Sequence, residues 1–184
     1  MAHYFFTVAS LPMLLFDEQP FYSAQDVIEI CQRELTAEDM RRVTASHDYF
    51  DTGLVPGLSV ALGEFDRRER GVRHFLARLR AQKLGWEYEQ PDVEAEPEAE
   101  RVARDAVSQS SPHDAEMIIQ RARWVLIEEL GVGHFFDVES LVIYMLKLRV
   151  VERNRQMETD RGAERFNEIY SDMVQTLTKH ERSE

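Results

Sequence analysis

Three observations predict an all-α fold. Helix-start signatures recur along the chain, apolar residues return at helical spacing between them, and segments with the strict alternation of a strand are few. The expected architecture is two helical units, residues 1–86 and 111–184, joined by an acidic linker over 87–110. A chain of 184 residues suits one domain or two small ones and can bury roughly 70% of the surface its unfolded state exposes. With 43% hydrophobic and 30% charged residues, it has the composition of an ordinary globular protein rather than a disordered or membrane one.

The first stretch, "MAHYFFTVASLPMLLF", is apolar but has no positive n-region, and Pro12 interrupts it, so it reads as mature, buried structure and not as a signal peptide. "YFFTVAS" within it suits either a helix or a short extended segment. "SAQD" at 23–26 and "TAED" at 36–39 each place an acid three residues after a hydroxyl, a capping-box variant that satisfies the exposed amides of a helix start, and two short helices should follow. Cys31, in "DVIEICQREL", is the only cysteine. It rules out an intrachain disulfide or a cysteine-built zinc cage, fits a reducing compartment, and reads as a small buried hydrophobe. "FDTG" at 50–53 matches the aspartic-protease triplet, but that chemistry needs a second aspartate in register and a β-rich frame, so Asp51 is assigned to a turn.

From Gly57 to Gly85, "LSVALGEFDRRERGVRHFLARLRAQKLG" reads as one long or broken helix with Phe65, Val72, Leu76 and Leu79 on one side. Its other side is the only cationic element of the chain: Arg67, Arg68, Arg70, Arg73, Arg78, Arg80 and Lys83. The acid-rich "EYEQPDVEAEPEAE" comes directly after it. Residues 87–118 hold ten acids against two bases, most of the excess behind the net charge of -12. Two prolines and few large apolar residues mark this stretch as the solvated linker. Surface pairing with the basic helix, or a partner docked on that helix, are both open. A net charge of this sign opposes nucleic-acid binding.

Ser111 as cap, Pro112 at the first helical position and Asp114 start the next helix, with Ala115, Ile119, Ala122, Leu126 and Leu130 at helical spacing and Gly131 as a left-handed stop. "HFFDVESLVIYMLKLRVVER" occupies 134–153. Its uninterrupted apolar part is far shorter than the about 20 residues of a membrane span and contains Lys147 and Arg149, so no direct membrane insertion is expected. His134, Asp137 and Glu139 have metal-ligand chemistry, but Asp137 and Glu139 would point about 200° apart on a helix. Asp137 is better placed as N-cap, Glu139 as a complement to the helix dipole, and Phe136 with Leu141 as a hydrophobic staple. On the helical wheel Val138, Leu141, Val142, Met145 and Leu146 share an arc that Arg149, Glu152 and Arg153 continue. Either the helix leaves the core there, or Glu152 offsets both arginines in a buried or interfacial network. Phe166, Ile169, Tyr170, Met173, Val174 and Leu177 form a last helical stripe, with Thr159 or Asp160 as cap, expected to close the fold.

No Gly-rich phosphate loop, serine elbow or metal-type cluster stands out, and the histidines are scattered, so no catalytic residue, cofactor or metal is expected. The combination of "AEMIIQRARWVLIEELGVGHFFDVESLVIYMLKLRVVER" with "HYFFTVASLPML" and "VRHFLARLRAQKLGW" resembles an uncharacterised bacterial family encoded in operons for V-type (A/V-type) ATPases. "ESLVIYMLKLRVVERNR" is also similar in style to a helix of the V-type ATPase C (d-type) subunit, which couples the rotor shaft to the membrane ring. That subunit is longer and built of three related modules, whereas this chain shows no clear repeat. The resemblance implies a non-catalytic helical component or accessory factor of an ion-translocating ATPase, cytoplasmic and peripheral to the membrane, with rotor-stalk or membrane-ring subunits as partners. Arg149, Glu152 and Arg153 then become a subunit-contact cluster. A soluble adaptor that binds an acidic partner through Arg70, Arg73 and Arg80 of the basic helix is the second expectation. An enzyme with a helical pocket is the third, and it would need convergent polar residues.

Overall fold

Local capping decides where most helices begin. Ser23 and Asp26 satisfy each other reciprocally: the Ser23 hydroxyl accepts from the Asp26 amide at 3.2 Å, and the Asp26 carboxylate accepts from the Ser23 amide at 2.9 Å. Those bonds to Ser23 also hold the Asp26 carboxyl below its ordinary pKa. Thr36, Ser59, Ser111 and Asp137 cap later helices in the same way through a side-chain oxygen. The computed structural model describes residues 4–53, 57–88 and 96–157. Among these are seven helices and no strand: α1 (Tyr4–Ser10), α2 (Ala24–Glu34), α3 (Ala37–Thr52), α4 (Val60–Leu84), α5 (Pro97–Ser108), α6 (Pro112–Leu130) and α7 (Val138–Gln156). The fold is all-α. The apolar stripe at 166–177 and its cap lie outside the described residues.

Helix α7 is the centre of the larger core. Leu141, Val142, Met145, Leu146, Leu148, Val150 and Val151 are all essentially inaccessible, so the helix is apolar nearly all round, as a helix surrounded by others must be. It packs against α3 and α6 most extensively and touches α1, α2 and α4. The same core takes Val27 and Cys31 from α2, Val43 and Tyr49 from α3, Leu62 and Phe65 from α4, and Trp124 and Ile127 from α6. Phe16, after α1, meets Trp124 edge to face at 5.7 Å. No described helix is long and apolar enough to cross a membrane.

A smaller core lies between α4, α5 and α6, built from Leu76, Ala103, Ala106 and Ile119 with Val72, Phe75 and Leu79 against them. Helix α4 is unbroken and serves both cores, its first half in the larger and its second in the smaller. Gly85, at φ 67, ends it in the left-handed conformation that glycine adopts without strain.

Four expectations require correction. Residues 97–108 are not linker: they form α5, whose Ala99, Val102, Ala103 and Ala106 are buried. Alanine carries little apolar weight, yet it permits close helix approach. Helices from 1–86 and from 111–184 share the larger core, so the two parts are not separate units joined by a tether. Gly131 is right-handed at φ -74 and Gly133 takes positive φ instead. Asp51 sits in the last turn of α3, which Gly53 closes at φ 66. The open choice for "YFFTVAS" resolves as helix α1.

Candidate interaction surface

The charged end of α7 stays in the core rather than leaving it. Val150, Val151 and Asn154 are buried around it, while the Arg149 and Glu152 side chains are only 18% and 19% exposed. Arg149 donates to Glu152 Oε2 at 3.1 Å and to Asp51 Oδ2, on α3, at 2.9 Å. The other Glu152 oxygen accepts from the Ala24 amide at 2.8 Å. An α7 carboxylate therefore serves as an extra cap on α2, 128 positions away in the chain. Arg153 is not offset by Glu152; its Nε donates to Glu116 Oε1 of α6 at 3.3 Å.

Glu139 repeats the device at the other end of α7. Its Oε2 accepts from the Ser59 hydroxyl at 2.7 Å and the Ala61 amide at 3.0 Å. It thus caps α4, and its expected role toward its own helix dipole is secondary to this contact. Asp137 accepts from the Ser140 amide at 2.8 Å, and His134 Nδ1 lies 2.6 Å from its other oxygen. Burial opposes the Asp137 charge, but these two bonds prevail and hold its carboxyl below the ordinary value. Among the described residues no three potential ligands gather as a metal site.

The basic face of α4 is largely neutralised within the molecule. Arg67 and Arg78 pair with Glu96 and Glu100 at 2.8 and 2.9 Å, and Lys83 donates to the Val107 carbonyl at 2.6 Å. These contacts run in the same sense along both helices, which sets α5 parallel to α4. Arg70 binds Asp66, and Arg73 binds Glu69 at 3.1 Å. Glu69 also takes Arg123 of α6 through Nε, at 3.1 Å to each oxygen, and is itself buried. Burial works against the Arg123 charge, yet Glu69 more than offsets this and raises its pKa. Arg80 is exposed and has no ion-pair partner among the described residues.

Two surface features remain. A groove of about 500 Å³ runs between α4, α5 and α6, lined by the apolar Val72, Val102, Met117, Ile118, Val125 and Leu126 and by charges of both signs. The second is aromatic. Phe5 of α1 lies 4.7 Å from Phe136, between ring centroids, and 5.6 Å from Phe6. All three are more than half exposed, as is Phe135 beside Phe136 in the chain, at 70%. Phe136, expected as the staple partner of Leu141, meets Phe5 in an exposed position. Contiguous exposed aromatic surface of this kind marks sites of association. A sequence signal for it existed in the doublets "FF" at 5–6 and 135–136: on a helix such as α1 neighbours point about 100° apart, so Phe5 and Phe6 seldom both reach one core, and the second doublet lies in the α6–α7 turn.

Residues 97–177 match the model of a family described as a protein of unknown function, DUF2764. The match begins with α5, spans α6 and α7, and includes the α6–α7 turn that carries Phe135 and Phe136. Comparison with curated proteins and with solved structures returns no match.

Proposed function

We propose that this chain is a non-catalytic helical component or accessory factor of a V-type ion-translocating ATPase. In this reading it works at the cytoplasmic side and contacts rotor-stalk or membrane-ring subunits, in the manner of the C (d-type) subunit. The observation that carries the proposal is the convergence of two stretches on which the resemblance rests. "HYFFTVAS" and "GHFFD" are about 130 positions apart in the chain, and Phe5 and Phe136 nevertheless meet at 4.7 Å. An exposed aromatic cluster assembled in this way has the composition of a protein-binding hot spot. Its location moves the contact surface from Arg149, Glu152 and Arg153, which are committed internally, to Phe5, Phe6, Phe135 and Phe136.

The adaptor reading favours α4, where Arg70, Arg73 and Arg80 are exposed. Two of the three already hold an acid, which weakens their pull on an acidic partner. One experiment separates the two readings. Tagged full-length chain is purified from its native cell as wild type, as Phe6→Ser/Phe135→Ser, and as Arg70→Gln/Arg73→Gln/Arg80→Gln. Co-eluting rotor or ring subunits should fall by at least about tenfold for the phenylalanine variant, as expected for hot-spot aromatics, with helix content unchanged. Wild-type chain that brings down no ATPase subunit, or a loss confined to the arginine variant, overturns the proposal.

A further inference from the structure

The groove between α4, α5 and α6 has an apolar lining, and Val125 within it is 48% exposed. Such a lining calls for an apolar occupant, and three observations select one.

The first is where the described chain ends. Arg153, in the last turn of α7, donates to Glu116 of α6 at 3.3 Å. Glu116 is the neighbour of Met117, which lines the groove, and lies 3.5 Å from Arg123, which lines it too. The chain therefore passes Met157 close to one end of the groove.

The second is the pattern of the residues beyond Met157. Residues 159–177 carry Phe166, Ile169, Tyr170, Met173, Val174 and Leu177 at the spacing of one apolar face, flanked by Glu164, Glu168 and Asp172 at intervals of four. The stretch has the same number of residues as α6, which forms one wall of the groove.

The third is the extent of the family match, which runs from Pro97, the first residue of α5, to Leu177, the last apolar residue of that face. The matched unit thus contains two walls of the groove, the helix α7 whose end lies near it, and the apolar stretch, with little else.

We propose that the groove is the seat of the chain's own carboxy-terminal stretch, residues 159–177, whose apolar face closes the smaller core. The inference is independent of the ATPase reading, because it concerns other residues and an intrachain contact.

The test uses full-length chain carrying Val125→Cys, labelled with a benzophenone maleimide. Cys31 is wholly buried and does not compete for the reagent. Equal amounts of ordinary and ¹⁵N-labelled chain are mixed, irradiated and mapped by mass spectrometry. The expected product is a crosslink from position 125 to peptides within 163–177, joining chains of like isotope only. The same probe on Val60→Cys, an exposed site away from the groove lining, should not give it. Ile169→Glu/Met173→Glu should reduce the yield by at least about tenfold, since an unpaired carboxylate resists burial.

Mixed-isotope crosslinks would assign the groove to a second copy. Crosslinks to other peptides, none at all, the same product from Val60→Cys, or a yield indifferent to the glutamates would each overturn the proposal.

Discussion

The two cores are closed by different means. The larger surrounds α7 with bulky side chains, and its helix starts are secured by Glu139 and Glu152 reaching across from that central helix. The smaller is lined largely by alanines of α5 and bordered by Arg–Glu pairs, and it leaves a groove. Alanine contributes little area per residue, and exposed pairs stabilise by only about 0–1 kcal/mol each. The larger core is therefore the mechanical centre, and the smaller is the side that remains open to a further element.

Leucine truncation tests this difference most strongly. Leu146→Ala removes an inaccessible side chain of the central helix from the larger core, and should cost about 3–5 kcal/mol. Leu76→Ala, beside the groove, can be filled by neighbouring movement and should cost about 2 kcal/mol. Urea midpoints at unchanged m-value measure both. Equal losses would mean that the smaller core is as tightly closed as the larger.

The strongest polar tie on the smaller side is Glu69, which joins α4 to Arg123 of α6. Glu69→Gln leaves the buried Arg123 guanidinium with only the more distant Glu116, at 3.5 Å, and should cost about 3 kcal/mol, as broken buried pairs do. That loss would exceed the effect of Leu76→Ala and show that charge holds this side more than area does. Thermal unfolding of the two variants side by side gives the ranking.

In the larger core the corresponding ties are caps. Glu139→Ala and Glu152→Ala each orphan a helix-start amide and should cost about 1 kcal/mol. They sit 13 residues apart on α7, about 20 Å along its axis. The double variant should therefore lose the sum of the two within about 0.5 kcal/mol. A clear excess would show that α7 couples the starts of α2 and α4.

Most of these features divide by sequence distance. Ser23, Thr36, Ser111 and Asp137 were legible as caps because each acts within three residues, and the hydrophobic run of α7 was legible as a buried helix. Helix α5 was hidden: its core face is Ala99, Val102, Ala103 and Ala106, and against glutamates and prolines that face resembled solvated linker. Glu139 and Glu152 could be placed on α7, but their partners lie 78 and 128 residues away, beyond any local pattern. The aromatic surface was visible only as two doublets whose meeting depends on α1 packing against α7.

The pH response should separate the two regions in opposite directions. Burial pushes the Cys31 thiol up to about 11, and the Tyr4 and Tyr144 hydroxyls up to about 12, Tyr4 also through its hydrogen bond to Asp39. All three belong to or pack against the larger core. Each holds its proton more firmly folded than unfolded, so the stability it contributes is complete below its ordinary value, 9.0 for the thiol and 10.0 for the tyrosines, and is lost as pH rises through the folded value. On the smaller side, the Glu64 carboxyl is lowered from 4.5 to about 2, first by its hydrogen bond from Arg67 and also by Arg68. Its contribution is present above 4.5 and is lost as pH falls toward 2, and at this solvent-screened site, with the side chain 32% exposed, it amounts to about a few tenths of a kcal/mol. Amide exchange followed residue by residue should therefore show α2 and α7 loosening first in alkali, and α4 with α5 loosening first in acid. Uniform loss at both extremes would mean that the two cores open as one cooperative unit.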